Sequence, residues 1–433
     1  EGTCIVDIGK ATTRSRRAEL AVDANVIAML GTSDDPITET EKIVALGGFP
    51  VEFPEDAKAQ AAATPTTVIE ADHRDRTDLR HLRFCTIDPE TARDFDDALC
   101  IEQMAKGATR VWVAVADVAH YVRWNDPIDT SAKERGVSVY LPDRVISMIP
   151  IQLSAGICSL NPHLDRCAMV VKLEFDAKGK ITSSEPMAAL IQSKARFDYG
   201  GVSCVLEPSA GPVREGYEPW RPELEALFAL SRKLRKIRME RGSLDLELPE
   251  PKVVLDADNP KLVRDVVRAK ASPAVKLAYS LVEEFMLCAN EAVGRYFNQR
   301  KLTSVWRIHA PPGEEKLGEF ADLLGTYGIK VDIENAQTPK GMKAVLDQVS
   351  TMPAARALTQ LLLRSLTQAQ WDIVPIGHFG LASAEYVHFT SPIRRYPDLL
   401  AHRLLKHALH AEGKPSGGGY EGKTPPNDVV QEL

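Results

Sequence analysis

Apolar residues recur along the chain at two different spacings, and the change from one to the other divides the sequence. From residue 83 to 122, the stretches RFCTID, ALCIEQ and RVWVAVADVAHYV read like strands of a half-buried sheet. MVVKLEFDAKGKITSSEP reads as two more strands, joined at the turn dipeptide Lys178-Gly179. Further on the spacing becomes helical. In RPELEALFALSRKLRKIRMERG, Leu224, Leu227, Leu230, Leu234 and Ile237 recur near the helical period, and Arg232, Lys233, Arg235, Lys236 and Arg238 fill the other faces. SPAVKLAYSLVEEFMLCANEAVGRYF opens with Ser272 as N-cap and Pro273 in the first turn. ARALTQLLLRSLTQAQ and DLLAHRLLKHALH are further helices. Strands first and helices later predict an α+β fold, with helices around a mainly antiparallel sheet.

The flanks are less regular. Residues 1–55 are short mixed segments, of which CIVDIG and AELAVD look strand-like and NVIAML fits either type. FPEDAKAQAAA predicts a short helix opened by Pro54, and TPTTVIEADHRDRTDLR reads as a polar connector without a packing pattern. We therefore expect an accessory region over 1–55, a connector over 56–80, the main domain over 81–410 and a flexible Gly/Pro-rich tail over 411–433. No internal repeat is visible.

Composition narrows the class. Apolar residues make up 44% and charged residues 26% of the 433 residues, near globular averages, which excludes a disordered or fibrous chain. The longest apolar run, VWVAVADVAHYV, is interrupted by Asp117 and too short to span a bilayer, so no membrane association is expected. The start, EGTCIVDIGK, has no secretory pattern and no initiator Met, which points to a trimmed or incomplete chain. Seven scattered cysteines without a Cys-x-x-Cys pair point to reduced thiols and a cytoplasmic location. The net charge of -7 disfavours a nucleic-acid partner only weakly, because a local basic channel can coexist with an acidic exterior.

The stretch TIDPETARDFDDALC places Asp88, Asp94, Asp96 and Asp97 within ten residues. Carboxylates this close resist ionising unless a cation compensates them, and carboxylate oxygens suit the hard ions Mg2+ and Mn2+. An EF-hand does not fit: counted from Asp88, the sixth position is Arg93 instead of Gly and the twelfth is Leu99 instead of Glu. Asp94, Asp96 and Asp97 cannot share one face of a strand, so the backbone must bend to aim them together. A solvated acidic turn explains the residues as well as a metal site does, and both readings stay open at this point.

A metal site for phosphoryl chemistry needs a positive group opposite the carboxylates. HFTSPIRRYPDLLAHRLL supplies candidates: Ser391-Pro392 and Pro397-Asp398 each look like a helix start, which puts Arg394 and Arg395 on a short rigid turn. Arginine is the usual residue where a planar fork grips phosphate oxygens, although surface ion pairs account for two arginines equally well.

Together the two stretches resemble the ribonuclease II and ribonuclease R superfamily, whose catalytic unit is the RNB domain, and lie closer to the ribonuclease R branch. The acidic stretch matches T-I-D-x5-D-x-D-D and the later one H-F-T-S-P-I-R-R-Y-x-D-L. VAVADVAHYV, SVYLPDRVISMIP, ICSLNP, RGSLDLELPE, LVEEFMLCANEAV and WRIHAPP lie between them in the family's order, and the resemblance covers about residues 55–410. It implies a processive 3′-to-5′ exoribonuclease that hydrolyses single-stranded RNA to nucleoside 5′-monophosphates with Mg2+, for which Mn2+ can substitute, and without an obligatory protein partner. A non-catalytic RNA-binding member of the same family is the alternative.

Carried over by position, the resemblance makes Asp88, Asp94 and Asp97 metal ligands. Asp96 becomes the aspartate closest to the chemistry, Arg394 the arginine that clamps the phosphate, and Tyr140 the ring that stacks on terminal bases. Arg395, Tyr396, His388 and His309 are candidates for the RNA channel. Glu284 reads as an exposed helix residue, the basic helix from Arg232 to Arg241 as a solvated face, and Trp112 and Trp306 as core. Typical members also carry oligonucleotide-binding barrels on both sides of the catalytic unit. Residues 1–55 are too short for two of them, and after Leu409 the sequence reads as tail.

Overall fold

A computed structural model of the chain describes residues 2–13, 20–32, 35–244, 251–259, 262–268 and 272–417. The N-terminal region is a hairpin of β1 (Gly2–Thr13) and β2 (Leu20–Thr32), followed by helix α1 (Pro36–Gly47) and then α2 (Glu55–Ala63). The main sheet is built from β3 (Thr77–Asp78), β4 (Phe84–Asp88), β5 (Asp97–Gln103) and β6 (Thr109–Ala116). After α3 (Val118–Tyr121), α4 (Pro127–Arg135) and a small hairpin of β7 (Val139–Tyr140) and β8 (Val145–Ile146), the sheet is completed by β9 (Asp165–Phe175) and β10 (Ile181–Asp198). RVWVAVADVAHYV is thus one strand that stops at Asp117, where the chain turns into α3.

β4, β5, β6 and β9 pair antiparallel in succession. β10 pairs antiparallel with β9 over residues 181–192, then passes a bulge between Ser193 and Ala195 and pairs parallel with β4 over Phe84–Asp88. The ring of pairings from β4 through β5, β6, β9 and β10 closes on itself, and β3 adds a short parallel edge. The mainly antiparallel, mixed helix-and-sheet architecture agrees with the α+β expectation. The Lys178-Gly179 turn joins β9 to β10 as the dipeptide predicts, with Gly179 at φ +87° and Asp176 Oδ1 accepting the amides of Lys178 and Lys180 at 2.9 Å each.

Half-burial is where the pattern misleads, because both faces of this sheet are covered. One face carries Ile87, Leu99, Val111, Val113, Val115, Val171 and Leu173 against the helices that follow the sheet. These are α5 (Tyr199–Leu206), α6 (Arg221–Arg241) and, after a hairpin of β11 (Pro251–Leu255) and β12 (Val263–Arg268), the long α7 (Pro273–Gln299), which Ser272 caps by accepting the Val275 amide at 3.2 Å. The other face is small-residue rich, with Ala98, Ala114, Ala116, Ala168 and Ala189 around Trp112, and packs on Ala57 and Ala61 of α2 and Ile128 and Ala132 of α4. Small side chains on that face let short helices approach closely.

A separate cluster of Leu317, Phe320, Met342, Val345, Leu358 and Leu362 holds α8 (Glu314–Thr326), α9 (Ile333–Ala336), α10 (Pro339–Ser350) and α11 (Ala355–Ser365) together. Strands β13 (Trp306–Ile308) and β14 (Gln370–Asp372) flank it, and α12 (Tyr396–Ala411) returns to both faces of the sheet.

The stretch that reads as a loose connector is tied down. The Arg76 side chain is wholly buried and reaches Asp117 Oδ2 at 2.6 Å, where Lys406 of α12 joins at 2.9 Å. Asp72 accepts from the Ile69 amide and lies 2.8 Å from His120 Nε2. The first residues past α12 are pinned as well: Ser416 donates from its amide and hydroxyl to Asp75, and Arg76 donates to the Gly417 carbonyl at 2.9 Å. Residues 418–433 of the expected tail, 245–250 of RGSLDLELPE and 18–19 of AELAVD lie outside the described residues.

Candidate active site

β4 ends at Asp88 and its antiparallel neighbour β5 begins at Asp97, so both carboxylates emerge at one end of the sheet. β10, parallel to β4, pairs Asp198 with Asp88 and delivers Tyr199 at the same end. Between Asp88 and Asp97 the backbone leaves the strand geometry: residues 92–96 form no regular structure and carry Asp94 and Asp96. This is the bend that the four aspartates require. All four line one cavity of about 480 Å³, together with Tyr140, Tyr199, Ser391 and Arg394.

The electrostatics of this cavity favour a positive charge. Burial, with the charges of Asp97 and Asp96 adding to it, pushes the Asp88 carboxyl up to about 8. Burial pushes Asp97 up to about 7, against the pull of Arg394 and Arg395. Asp96, 6% exposed, is held well above the usual carboxylate range by burial, although Arg394 and the Ile393 amide lower it. Asp88 Oδ2 is buried and has no hydrogen-bond partner. A buried carboxylate oxygen without a donor, beside acids that resist ionising together, fits a divalent ion bound by oxygen ligands.

The positive side of the cavity comes from the turn before α12. Pro397 does open that helix, but Ser391-Pro392 begins a turn and not a helix, with the amides of Arg394 and Arg395 both bonding back to the Ser391 carbonyl. Asp398, fully buried, accepts from the Ser391 amide at 2.8 Å and from Arg395 Nη2 at 2.7 Å, and so staples the turn. Arg394 is left facing the cavity, its Nε 3.7 Å from Asp96 Oδ2 and its Nη2 3.0 Å from Ser391 Oγ. Its carbonyl accepts from the Ser138 amide at 2.9 Å, which ties the turn to the β7–β8 hairpin that presents Tyr140.

The other candidates lie elsewhere. Tyr396 is in the core, donating to Asp129 Oδ1 at 2.9 Å beside Arg403. Arg395 is committed to Asp398. His388 sits among Trp371 and Tyr386, and burial pushes its pKa down to about 3, which keeps it neutral. His309 bonds the Thr367 carbonyl and accepts from the Gly380 amide, in a second cavity of about 290 Å³ near α10. Glu284 is not exposed: it is 2% accessible and pairs with Arg238 at 2.7 Å. The basic helix is correspondingly not one solvated face, since Arg238 is buried, Arg241 pairs with Glu291 and Lys233 donates to the Ala177 carbonyl. Trp112 and Trp306 are core, as expected.

Sequence reasoning missed Tyr199, which lines the cavity and stacks on Tyr279 with ring centroids 3.8 Å apart. The signal was available only to a reading that extended β10 through ARFD to its end. Asp72, His120 and Cys167 also bring three potential ligand atoms within 4.8 Å of one another. Arg76 and Lys406 lie against that cluster and their charge opposes a cation there.

The RNB domain model matches residues 76–411. The chain is 40% identical over 394 residues to ribonuclease R of Thermotoga maritima, covering 90% of this chain and 54% of that protein. It is 37% identical over 420 residues to ribonuclease R of Escherichia coli K12, covering 96% and 51% respectively. In structure it is similar to Mycoplasma genitalium RNase R solved in complex with ribose methylated single-stranded RNA, with a TM-score of 0.85 at 31% identity, over 95% of this chain and 64% of that one. The chain spans about half the length of the curated relatives it matches.

Proposed function

The chain belongs to the RNB domain family, and on that premise we propose that it is a processive 3′-to-5′ exoribonuclease that hydrolyses single-stranded RNA to nucleoside 5′-monophosphates. One observation carries the reading: a single cavity gathers Asp88, Asp94, Asp96 and Asp97 with Tyr140 and Arg394, although more than half the chain separates the aspartates from Arg394. RNB-type nucleases are metal-dependent. Here Asp88, Asp94 and Asp97 are the residues to hold Mg2+, or Mn2+ in its place. When bound there, such an ion would supply Lewis-acid stabilisation of charge on the scissile phosphate and would lower the pKa of a water.

The chain's own groups take the remaining roles. Arg394 clamps a phosphate oxygen and takes up charge that develops in the transition state. Asp96, buried and oriented by the Ile393 amide, faces the reacting end of the strand. Tyr140 stacks on a terminal base, a contact that any base satisfies because each has a π face. Tyr199, directly after β10, also lines the cavity. The non-catalytic alternative requires a defect in this constellation, and all four aspartates and Arg394 stand in place.

We also propose the division into an accessory region over 1–55, the stretch 56–80 and a catalytic unit over 81–410; the burial of Ala57, Ala61 and Arg76 attaches the middle stretch to the catalytic unit. Among the described residues no helix is long and apolar enough to cross a membrane. The free cysteines, Cys85, Cys100, Cys158, Cys167 and Cys288 of them buried, favour the cytoplasm.

The test is a time course on single-stranded RNA labelled at its 5′ end, with Mg2+ or EDTA. Metal-dependent stepwise shortening supports the reading. Tight binding without shortening in either Mg2+ or Mn2+ rejects it in favour of an RNA-binding protein.

A further inference from the structure

The loop between β4 and β5 carries like charges that repel, yet its own backbone provides little to hold it. Among the described residues, the Ala92 amide to the Pro89 carbonyl at 3.0 Å is its one internal backbone bond. Two side chains from outside hold the rest. Ser159, 0% exposed, donates its hydroxyl to the Arg93 carbonyl at 3.0 Å and accepts from the Phe95 amide at 2.9 Å. One hydroxyl thus brackets Asp94 from both sides, using its single proton and one lone pair. The next amide, that of Leu160, donates to the Phe95 carbonyl at 3.0 Å. Ser159 is itself fixed, its carbonyl accepting from buried Arg166 at 2.8 Å.

At the other end Arg196 of β10 donates from Nη2 to the carbonyls of Pro89 at 2.9 Å and Glu90 at 2.7 Å, directly after Asp88. Its guanidinium lies 5.6 Å from the centre of the Phe95 ring. Its positive charge favours the ionised Asp88 carboxylate but repels a cation on that side, so its help to metal binding comes from holding the loop and not from its charge.

We propose that Ser159 and Arg196 are positioning residues that anchor the two ends of the loop 89–95, and so hold Asp88 and Asp94 where a single metal ion meets both. This rests on the metal-dependent reading above. Without the anchors, mutual repulsion drives the carboxylates apart, and metal binding must first draw the loop back together. The effect belongs to metal affinity and not to chemistry once the metal is bound.

The experiment is titration of the whole chain with Mn2+ by calorimetry, repeated on Arg196→Gln, Arg196→Lys and Ser159→Ala, with thermal unfolding in EDTA as the control for stability. Loss of an outer hydrogen-bonding partner weakens metal binding by about 10- to 100-fold. We expect that loss for Arg196→Gln and Ser159→Ala, partial recovery for Arg196→Lys, which keeps a charge and a donor, and recovery of RNA shortening at high Mg2+. Should Ser159→Ala not fold, the Arg196 pair decides. Unchanged Mn2+ affinity in Arg196→Gln, with or without a lower melting temperature, overturns the proposal. Absence of Mn2+ binding by the unaltered chain overturns the metal-site reading itself, which is a different result.

Discussion

Asp96 accepts a hydrogen bond from the backbone amide of Ile393 at 3.0 Å, across 297 positions of sequence. The acidic loop and the arginine turn are therefore one assembly. The bond orients one carboxylate oxygen and leaves the other toward Arg394.

Asp96→Asn keeps an acceptor for the Ile393 amide and removes the charge that faces Arg394. RNA shortening should fall by on the order of 100-fold or more, with melting temperature and RNA affinity close to those of the unaltered chain. A binding assay beside the time course checks this; retained turnover would remove Asp96 from the chemistry.

Arg394 is partly exposed and bonded only lightly, to Ser391 Oγ and at 3.7 Å to Asp96, so its fork is available to substrate. Arg394→Ala should lower kcat by on the order of 100- to 1000-fold. Arg394→Lys should recover little of it, since an ammonium cannot grip two phosphate oxygens in a plane. Steady-state kinetics on a short RNA distinguish this from a loss that falls on KM alone.

Metal affinity should rise with pH. Asp88 and Asp97 are pushed up to about 8 and about 7 when the site holds no metal, and a metal binds only their ionised forms. Below these values protons compete with the ion; above them the competition ends. Mn2+ affinity should therefore climb between about pH 6 and pH 8 and level off beyond, with protons released on binding. A flat profile over that window would contradict the shared burial of the two acids.

Tyr140 stands on the β7–β8 hairpin, exposed at the mouth of the cavity. Tyr140→Ala should raise KM by the worth of one stacked base, about 1 to 3 kcal/mol, whereas Tyr140→Phe should leave it nearly unchanged. Equal losses in both variants would assign the role to the hydroxyl instead of the ring.

Asp117, Arg76 and Lys406 form a buried charge cluster between β6, the stretch before β3 and α12. Removing one member, as in Asp117→Asn, leaves unpaired buried charge and should destabilise the chain by about 3 to 5 kcal/mol. Lys406 and Arg76 hold the Asp117 carboxyl well below its usual range despite its burial. Its contribution is therefore present above the ordinary carboxylate range and lost as pH falls through the depressed value. Chemical denaturation at neutral pH and in acid measures both.

Local pattern alone determined much of this protein. The strands RFCTID and ALCIEQ, the Lys178-Gly179 turn, the Ser272 cap and the stripe of Leu224, Leu227, Leu230 and Leu234 on α6 are each set by neighbours within a few residues, and the structure keeps them, although Ile237 of that stripe is exposed and Arg238 is buried beside it. The crowding of Asp88, Asp94, Asp96 and Asp97 was equally plain, because repulsion between close carboxylates needs no tertiary information. Pattern could not say what covers a face. Val113 and Ala114 are neighbours in a stretch that reads as a half-buried strand, yet both are buried on opposite faces, because helices arrive on either side from distant parts of the chain. Nor could it tell which charges are solvated: Glu284 and Arg238 look like exposed helix residues until α6 packs on α7 and makes them partners. Tyr396 and Arg394 are two positions apart on one turn, and only the docking of that turn against Asp398, Asp129 and the β7–β8 hairpin sends one into the core and the other into the cavity. Side-chain direction at a turn depends on the long-range bonds that fix it, and those bonds exist only once the chain has folded.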